Sequence, residues 1–525
     1  MIYVAEITAA IDAAGNTQVF LFSTLGFATA PTDTPPNTVA RERLLQPGNY
    51  QRDMGANRTL FGQARAAFGE LQLANADGAL DAFARYGLAW RQVRLLACDA
   101  TYAALPAYPS GWTVVLVATV DTVTQGYEVL TLRLRDKLDL LDKPACARFA
   151  GTGGIEGPAQ LAGHAKPRLY GSACNVAPEV IDSTNSVYML SDKPATQPRW
   201  VFDKRSVLTP VSNNYNDAAD FATLQALTVA SGSYARCSDA GLFKLGTAAQ
   251  GRVTVDGIRH DLAYSTTFGR SRLGEVLYDV AIDAGLAPAE IDPALQTLAV
   301  PGNSHGYFIK DLTTTYAQVL GALAASGGAW VGSNRLGVLT AGIVAAPSGT
   351  PVWTFTRDNA IGLQLIQGPY PVPIASATVR GGRNWTTMVP AEIDTGLSSQ
   401  GDREALGRGW CYTEQAVGTA ITKHLAAQPE VFDTCSGPAG AVVATVLPGN
   451  GVGFSAATAL ALFGVERDTA QLRAGLSLAL LTTVDLGSVV QVVWSRFGYA
   501  AGKLMLVTGI RYDFARGECT FTLWG

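Results

Sequence analysis

Alternation of apolar and polar positions with a period of two runs through most of this chain, and it is clearest near the end. Val489, Gln491 and Val493 alternate with Val490, Val492 and Trp494 between Gly487 and a glycine-bounded turn at 498–502, which predicts a strand. Leu504, Leu506, Thr508, Ile510 and Tyr512 then alternate with Met505, Val507, Gly509, Arg511 and Asp513, and a short turn at 515–518 leads to a third strand over 519–524. A three-stranded antiparallel meander is therefore expected over 485–525. Both faces of its first two strands are largely apolar, so one face covers a core and the other meets a second surface. The closing Trp524-Gly525 is expected inside the fold, without a tail.

The same period marks the front of the chain. Residues 2–8 and 19–22 predict a hairpin around Ala14-Gly15-Asn16, and Pro31, Pro35 and Pro36 force a loop after it. A strand over 69–75 runs into an Asn75-Ala76-Asp77-Gly78 turn and a short helical piece, and further strands are predicted over 91–97, 112–123 and 127–136. Residues 138–144 end this part, and the glycine-rich stretch 151–158 reads as a link. From Lys166 onward, short strands at 187–190, 241–246 and 253–257 lie between Gly, Asn and Pro turns.

The period then changes to 3.6. Leu273, Val276, Leu277, Val280, Ala281 and Ala284 predict a helix with Ser271 as N-cap and Gly285 as its stop. Tyr316, Val319, Leu320, Leu323 and Ala324 predict a second, capped by Thr313 or Thr314 and stopped by Gly327-Gly328. A hairpin follows, with 329–331 and 336–340 around Ser333-Asn334. Beyond it come strands at 352–355 and 375–379, an amphipathic region over 405–426, an apolar stretch at 456–463, and a Gly/Pro-rich surface loop over 433–453. The fold class this predicts is mainly β with a smaller α+β part, in segments 1–142, 143–258, 259–345 and 346–525.

Length and composition agree with that picture. A chain of 525 residues is too long for one core and is expected to form three or four domains. With 16% charged and 48% hydrophobic residues it is an ordered chain, and 55 glycines and 25 prolines favour short strands and tight turns. The net charge is −4 and no Lys/Arg run occurs, which disfavours stable nucleic-acid binding. Glu6 and Asp12 interrupt the start of the chain where an export signal needs a clean apolar core, and the best apolar run, 114–120, is far shorter than the ~20 residues of a membrane span. A cytosolically made chain without membrane insertion is expected.

Few residues suggest chemistry. Gly302-Asn303-Ser304-His305-Gly306 fits G-x-S-x-G, but 307–309 reads as extended where a nucleophile elbow needs a helix, and the only downstream histidine is His424, placed in the amphipathic stretch. We read 302–306 as a polar loop between the two helices. His164, His260, His305 and His424 are isolated, without a metal-ligand spacing. Glu430 and Asp433 are acids of the type a glycosidase needs, though sequence gives no separation. Cys98, Cys146, Cys174, Cys237, Cys411, Cys435 and Cys519 are odd in number, with no C-x-x-C, and read as core thiols. GTGGIEG at 151–157 lacks the spacing of a phosphate loop. Asn57 and Asn384 match a glycosylation pattern that means nothing without export. No catalytic, cofactor-binding or metal residue is assigned.

Several phrases in order resemble a known family. Asp485-Leu486-Gly487, the Val-x-Val strand, Arg496-Phe497-Gly498, Gly502-Lys503, Val507-Thr508-Gly509-Ile510 and Thr522-Leu523-Trp524-Gly525 are similar to the C-terminus of baseplate hub (tail tip) proteins of long-tailed, non-contractile bacteriophages, prophages and gene-transfer agents. Residues 69–75 with 77–81, Tyr170-Gly171, Asn175-Val176-x-Pro178 and Asn384-Trp385-Thr386 extend the likeness along most of the chain. The resemblance implies tube-like β-barrel domains at 1–142 and 346–525, a small β domain at 143–258 and an α+β domain at 259–345. It further implies a homotrimer whose six similar barrels ring a lumen for DNA passage, located at the virion tail tip. The implied partners are the tail tube, the distal tail protein, the tape measure protein and tail fibre or receptor-binding proteins. A lumen through which DNA only passes needs no basic patch, because phosphate contacts would retain it. The alternatives are a tail-associated cell-wall hydrolase and a free-standing β-rich binding protein.

Overall fold

The computed structural model describes residues 1–55, 60–101, 104–259, 272–298, 300, 304–368, 372–394, 396, 403–404, 406–419, 422–437 and 454–525. Strand accounts for 41% of the structure and helix for 16%, so the chain is mainly β, as its period-two patterning predicts. Internal contacts divide it into two units. One comprises Met1–Leu140, Trp330–Pro371 and Glu466–Gly525; the other comprises Leu141–Ala329 and Val372–Val465. Both are discontinuous in sequence.

The first unit opens with β1 (Ile2–Ala10), β2 (Thr17–Ser23), β3 (Phe27–Ala28), β4 (Val39–Glu42), β5 (Leu44–Gln46), β6 (Asn49–Asp53), β7 (Gly62–Gln63), β8 (Arg65–Phe68), β9 (Glu70–Ala74), β10 (Gln92–Cys98), β11 (Thr113–Gln125) and β12 (Val129–Arg135). The expected hairpin is β1–β2, with Ala10 opposite Thr17, and its turn is fixed by Asp12 accepting from the Asn16 backbone and amide side chain. Nine strands form one sheet in the order β3-β4-β2-β1-β10-β11-β12-β9-β5. Val4, Leu21, Leu96, Cys98, Tyr108 and Trp112 belong to a core cluster of this sheet.

A tube-like barrel is the expectation for this segment; the sheet is an open path from β3 to β5, and β4, next to one end, lies one residue before β5 at the other. β4 runs beside β2, β5 beside β9, and only Arg43 separates them. The Arg43 carbonyl accepts from the Ala74 N–H at 2.8 Å, and its Nη1 donates to the Ala74 carbonyl at 3.0 Å and to Asp77 Oδ1 at 2.8 Å. The guanidinium beside Asp77 holds that carboxyl well below the usual carboxylate range. The predicted Asx turn at 75–78 thus supplies the acid that tacks the seam.

The second unit follows with β13 (Arg168–Val176), β14 (Glu179–Asp182), β15 (Val187–Met189), β16 (Thr196–Asp203), β17 (Ser206–Val207), β18 (Thr209–Pro210), α1 (Phe221–Ala226), β19 (Ser233–Cys237), β20 (Leu242–Leu245), β21 (Val253–Arg259), α2 (Leu273–Asp283), α3 (Pro293–Gln296), β22 (Ser304–Ile309) and α4 (Tyr316–Ser326). Both predicted long helices are present, but their caps differ. Ser271 lies outside the described residues, and at α2 the Glu275 carboxylate accepts from the backbone N–H of the N-cap Arg272. At α4 the cap is Thr315, whose Oγ1 accepts from the Gln318 N–H; Thr313 and Thr314 are held instead by Asp311. Leu169, Val201, Tyr234, Phe243, Val255 and Phe308 lie in one core cluster of this unit.

Downstream come β23 (Ala329–Ser333), β24 (Leu339–Ile343), β25 (Trp353–Phe355), β26 (Gly362–Ile366), β27 (Ser376–Arg383), β28 (Trp410–Val417), β29 (Pro429–Asp433), β30 (Ser436–Gly437), α5 (Ala456–Phe463), β31 (Thr469–Gly475), α6 (Leu478–Thr483), β32 (Val489–Val492), β33 (Lys503–Asp513) and β34 (Glu518–Trp524). The amphipathic reading of 405–426 is corrected: its centre is the strand β28, paired along its length with β27. A surface loop from Asp433 is corrected in part. β29 joins β27 in parallel, and Phe432 is buried against Phe454 and Phe463, while 438–453 lies outside the described residues.

The closing meander is as the sequence predicts, in a sheet ordered β25-β32-β33-β34-β31-β26. On one side β33 pairs β34; on the other it changes partner midway. Lys503 to Leu506 pair with β32, and Gly509 to Asp513 pair with β6 from the front of the chain. Val507 O accepts from the Gly487 N–H and Thr508 O from the Met54 N–H, so the handover occurs between adjacent residues. Gly509 has no room for a side chain there, since a Cβ would lie 2.3 Å from Asp53 Oδ1.

That junction brings Arg52 into the interior. It is 1% exposed, its Nη1 donates to Asp485 Oδ1 at 3.2 Å, and its Nη2 donates to the Gly332 carbonyl at 3.3 Å and Thr340 Oγ1 at 2.7 Å. Its guanidinium lies 4.9 Å from the Trp330 ring. Four separated segments therefore meet on one cation.

Truncation before Leu504 is expected to abolish folding of the first unit, because β6, β31 and β32 lose their partner strands together. Each large buried side chain removed, among them Ile510, Phe521, Leu523 and Trp524, stabilises by ~1.5–3 kcal/mol, against the ~5–15 kcal/mol that holds a domain. A sigmoidal urea transition with native-like circular dichroism in the truncated chain would refute this. Asp485→Ala is expected to cost more than Arg52→Met, because it leaves the buried guanidinium without its half-exposed carboxylate; paired urea melts give the order. The Arg43–Asp77 contribution is present above the unfolded pKa of about 4 and is lost as pH falls through the depressed folded value. The protection factor of the Ala74 N–H, its exchange rate corrected for the intrinsic pH dependence, is therefore expected to fall in acid, and Asp77→Asn to lower it already at neutral pH.

Candidate functional site

The structure places the residues singled out from sequence on separate elements. Ser304 and His305 open β22, which lies between β13 and β30, and the polar-loop reading of these two is corrected. His305 is fully buried, and Gly306 packs so closely on β13 that a Cβ there would lie 2.0 Å from the Ser172 carbonyl. The final glycine of the G-x-S-x-G phrase is thus required by strand packing. Gly302 and Asn303 lie outside the described residues. An elbow needs the serine at a strand-to-helix turn; here the serine starts the strand.

The other histidines do not converge. His164 is exposed, its N–H donating to the Leu161 carbonyl, His260 lies outside the described residues, and His424 stands before β29 rather than in a helix. Asp433 is taken by Arg380, whose Nε and Nη2 donate to its two oxygens at 2.6 and 2.7 Å; Glu430 sits on the same strand opposite Ala377. Among the described residues no group of three or more His, Cys, Asp or Glu is placed to hold a metal ion.

Among the described residues Cys98, Cys146, Cys174, Cys237, Cys435 and Cys519 are buried and form no disulfide, as core thiols should be. Burial pushes Cys146 and Cys519 up to about 12 and Cys237 and Cys435 up to about 11, so these thiols are poor nucleophiles at neutral pH. In the 151–157 stretch, Gly151, Gly153, Gly154 and Gly157 all adopt positive φ, and Glu156 accepts from the Ala150 N–H and from Lys166. The glycines shape a pair of tight turns around an internal ion pair.

The Asn384-Trp385-Thr386 phrase has a structural task. Asn384 Nδ2 donates to the carbonyls of Leu406 and Arg408 at 2.8 and 2.9 Å, and its Oδ1 accepts from Asn175 Nδ2 at 2.7 Å. Trp385 stands edge-on to Tyr307 at 5.0 Å, with Arg383 over its ring. Asn175 also reaches Asp256: the Asn175 N–H donates to its Oδ1 at 2.7 Å, and Arg205 lies 3.7 Å away. Burial pushes the Asp256 carboxyl up, against the pull of Arg205. Asn57 lies outside the described residues. Sequence reasoning did not find Arg52, Arg168–Asp192 or Arg205–Asp256, because a charged residue in an alternating strand is read as facing solvent.

What the geometry does offer is surface. Beside β2 and β4 lies an open groove of about 460 Å3, with Phe20, Phe83 and Tyr86 in mutual contact at centroid distances of 4.8, 5.3 and 5.7 Å. Val19 and Val39 stand at its rim, 46% and 61% exposed. In the last sheet β26 forms an edge, with Ile361 and Leu365 exposed beside it. These are features of a chain that makes contacts with other chains.

No family model and no curated protein matches the chain. Among solved structures, a tail protein from Neisseria meningitidis MC58 is similar with a TM-score of 0.40 and 11% identity, covering 100% of this chain and 96% of that one. The 43 kDa tail protein of prophage MuSo2 from Shewanella oneidensis gives a TM-score of 0.41 at 10% identity, covering 100% and 96%. A chain of the native gene transfer agent virion gives 0.40 at 14%, covering 69% of this chain and 84% of its own.

Asn384→Ala is expected to destabilise the second unit by on the order of 2–3 kcal/mol, because two carbonyls and the Asn175 amide lose their partner together. His305→Ala is expected to cost about 1–3 kcal/mol by opening a cavity beside Gly327, where a Cβ would stand 3.5 Å from the imidazole Nε2. Thermal melts of the two variants check both values; wild-type stability for His305→Ala would restore the polar-loop reading.

Proposed function

We propose that the chain is a structural baseplate hub of a phage tail, of the long-tailed non-contractile type, in which three copies form a pseudo-sixfold ring that closes the tail tube around a lumen. One observation carries the reading. Sheets from the two ends of the chain, the nine-stranded one and the one built on the closing meander, belong to the same unit, and β6 of the front half is a strand of the closing sheet. Two tube-like modules per chain, at 1–142 and 346–525, are what a threefold protein needs to match a sixfold tube.

The order of the family-like phrases supports the same reading. Asp485-Leu486-Gly487 stands at the Arg52 junction, Val507 to Ile510 form the handover in β33, and Asn384-Trp385-Thr386 is the polar staple of the second unit. In this reading the tail tube and distal tail protein meet the ring on one side, with the tape measure, fibre and receptor-binding proteins as further partners at the virion tail tip. Its work is mechanical: to hold a ring and a passage. Bound DNA would impede that work, and the chain's small net charge of −4 suits it.

Mass photometry of the purified protein is expected to give three times the chain mass of 55.1 kDa, alone or on mixing with tail tube or distal tail protein. A clean monomer at micromolar concentration that forms no ring on adding either partner would count decisively against the hub.

A further inference from the structure

We propose that the groove along Asp81–Arg85 binds an extended acidic segment of another protein that carries apolar side chains between its carboxylates. The groove beside β2 and β4 and a second one, about 480 Å3, both border Phe83 and Tyr86, so they lie side by side along Asp81–Arg85 and we refer to the pair as the channel. Each part has the volume of a small ligand site. The accessible lining of the first is more polar than apolar, with the exposed Val19 and Val39 as its apolar seats over the packed rings of Phe20, Phe83 and Tyr86.

Charge decides what kind of segment fits. Arg41 lines the first part and Arg91 the second, and neither makes an ion pair among the described residues. Asp121 also lines the second part, but Arg135 at 3.3 Å and Arg133 at 3.8 Å already hold it. The channel therefore presents two uncompensated guanidiniums beside apolar seats, on a chain whose net charge is negative. Guanidinium forks pair best with planar carboxylates or phosphates. A nucleic-acid strand also offers anions, but it binds by laying bases on open aromatic faces. Here Phe83 is only 4% exposed and its ring is packed against Phe20, Phe22 and Tyr86. A peptide that inserts an aliphatic or aromatic side chain and offers carboxylates to Arg41 and Arg91 meets both requirements. The channel lies within a single copy of the chain, so peptide binding there does not depend on the ring.

The test is fluorescence anisotropy on the full chain with a labelled peptide of alternating phenylalanine and glutamate. Binding is expected to weaken at least about tenfold when glutamine replaces glutamate or alanine replaces phenylalanine in the peptide. The same loss is expected for Arg41→Glu with Arg91→Glu in the protein, with Arg41→Gln and Arg91→Gln as milder variants should the reversal disturb folding. Arg516→Glu, an exposed charge change in the β33–β34 turn, is expected to leave binding unchanged. Absence of binding up to millimolar peptide, insensitivity to the Arg41 and Arg91 changes, or equal competition by oligothymidylate would each overturn the proposal.

Discussion

The handover in β33 is the constraint on which the first unit depends. One strand pairs fully with β34 on one side and divides its other side between β32 and β6, so strands more than 430 residues apart in sequence share a single sheet. Two adjacent carbonyls, Val507 and Thr508, point into different ladders, and Gly509 lets the incoming strand approach. Once β6 is placed, the side chain of Arg52 has nowhere to go but inward. Its burial is tolerable because Asp485, itself half exposed, lends a charge that stays partly hydrated while Gly332 and Thr340 accept from Nη2. A cation so placed adds less net stability than it adds specificity of arrangement, because its desolvation offsets much of its pairing.

This also explains which parts of the fold were legible in the sequence. Hairpins, the closing meander and the helices α2 and α4 are specified by local periodicity and by turn residues, and these appear where the alternation puts them. Residues 49–53 are different. Asn49-Tyr50-Gln51-Arg52-Asp53 has the composition of an exposed edge, yet Tyr50 and Arg52 are among the most buried side chains of the molecule. Nothing local distinguishes such a strand, because its partner lies at the far end of the chain. The amphipathic expectation for 405–426 fails for a related reason. Tyr412, Glu414 and Ala416 follow a period of two, and the β27 ladder, invisible to a window of that length, decides the outcome.

Local composition misleads about chemistry in the same way. Ser304 and His305 sit in a short motif with a polar composition, which suggests a loop, whereas β22 has partners on both sides and encloses the imidazole. Asp433, a plausible acid in sequence, is one half of a bidentate pair with Arg380. Asn384 spends its amide on four hydrogen-bond partners within the second unit. Polar residues that a catalytic reading would recruit are engaged in holding segments together, and the guanidiniums of Arg41 and Arg91, without ion pairs among the described residues, lie at the surface.

Sheet edges provide the last step. An open sheet has two of them, and an exposed edge with apolar residues invites another strand. In the nine-stranded sheet one segment, 39–46, supplies β5 at one end and β4 beside the two-residue β3 at the other, and Arg43 with Asp77 fastens the switch. The closing sheet has no such device. Its edge strand β26 runs Gly-Leu-Gln-Leu-Ile, with no charge and no proline to discourage pairing, and Ile361 and Leu365 are left exposed. A chain that tacks down one pair of edges and leaves another bare has been shaped by something beyond its own folding. An uncovered apolar edge is a hazard for a free monomer and an asset for a subunit, because the backbone groups it leaves open are satisfied only when a neighbour arrives.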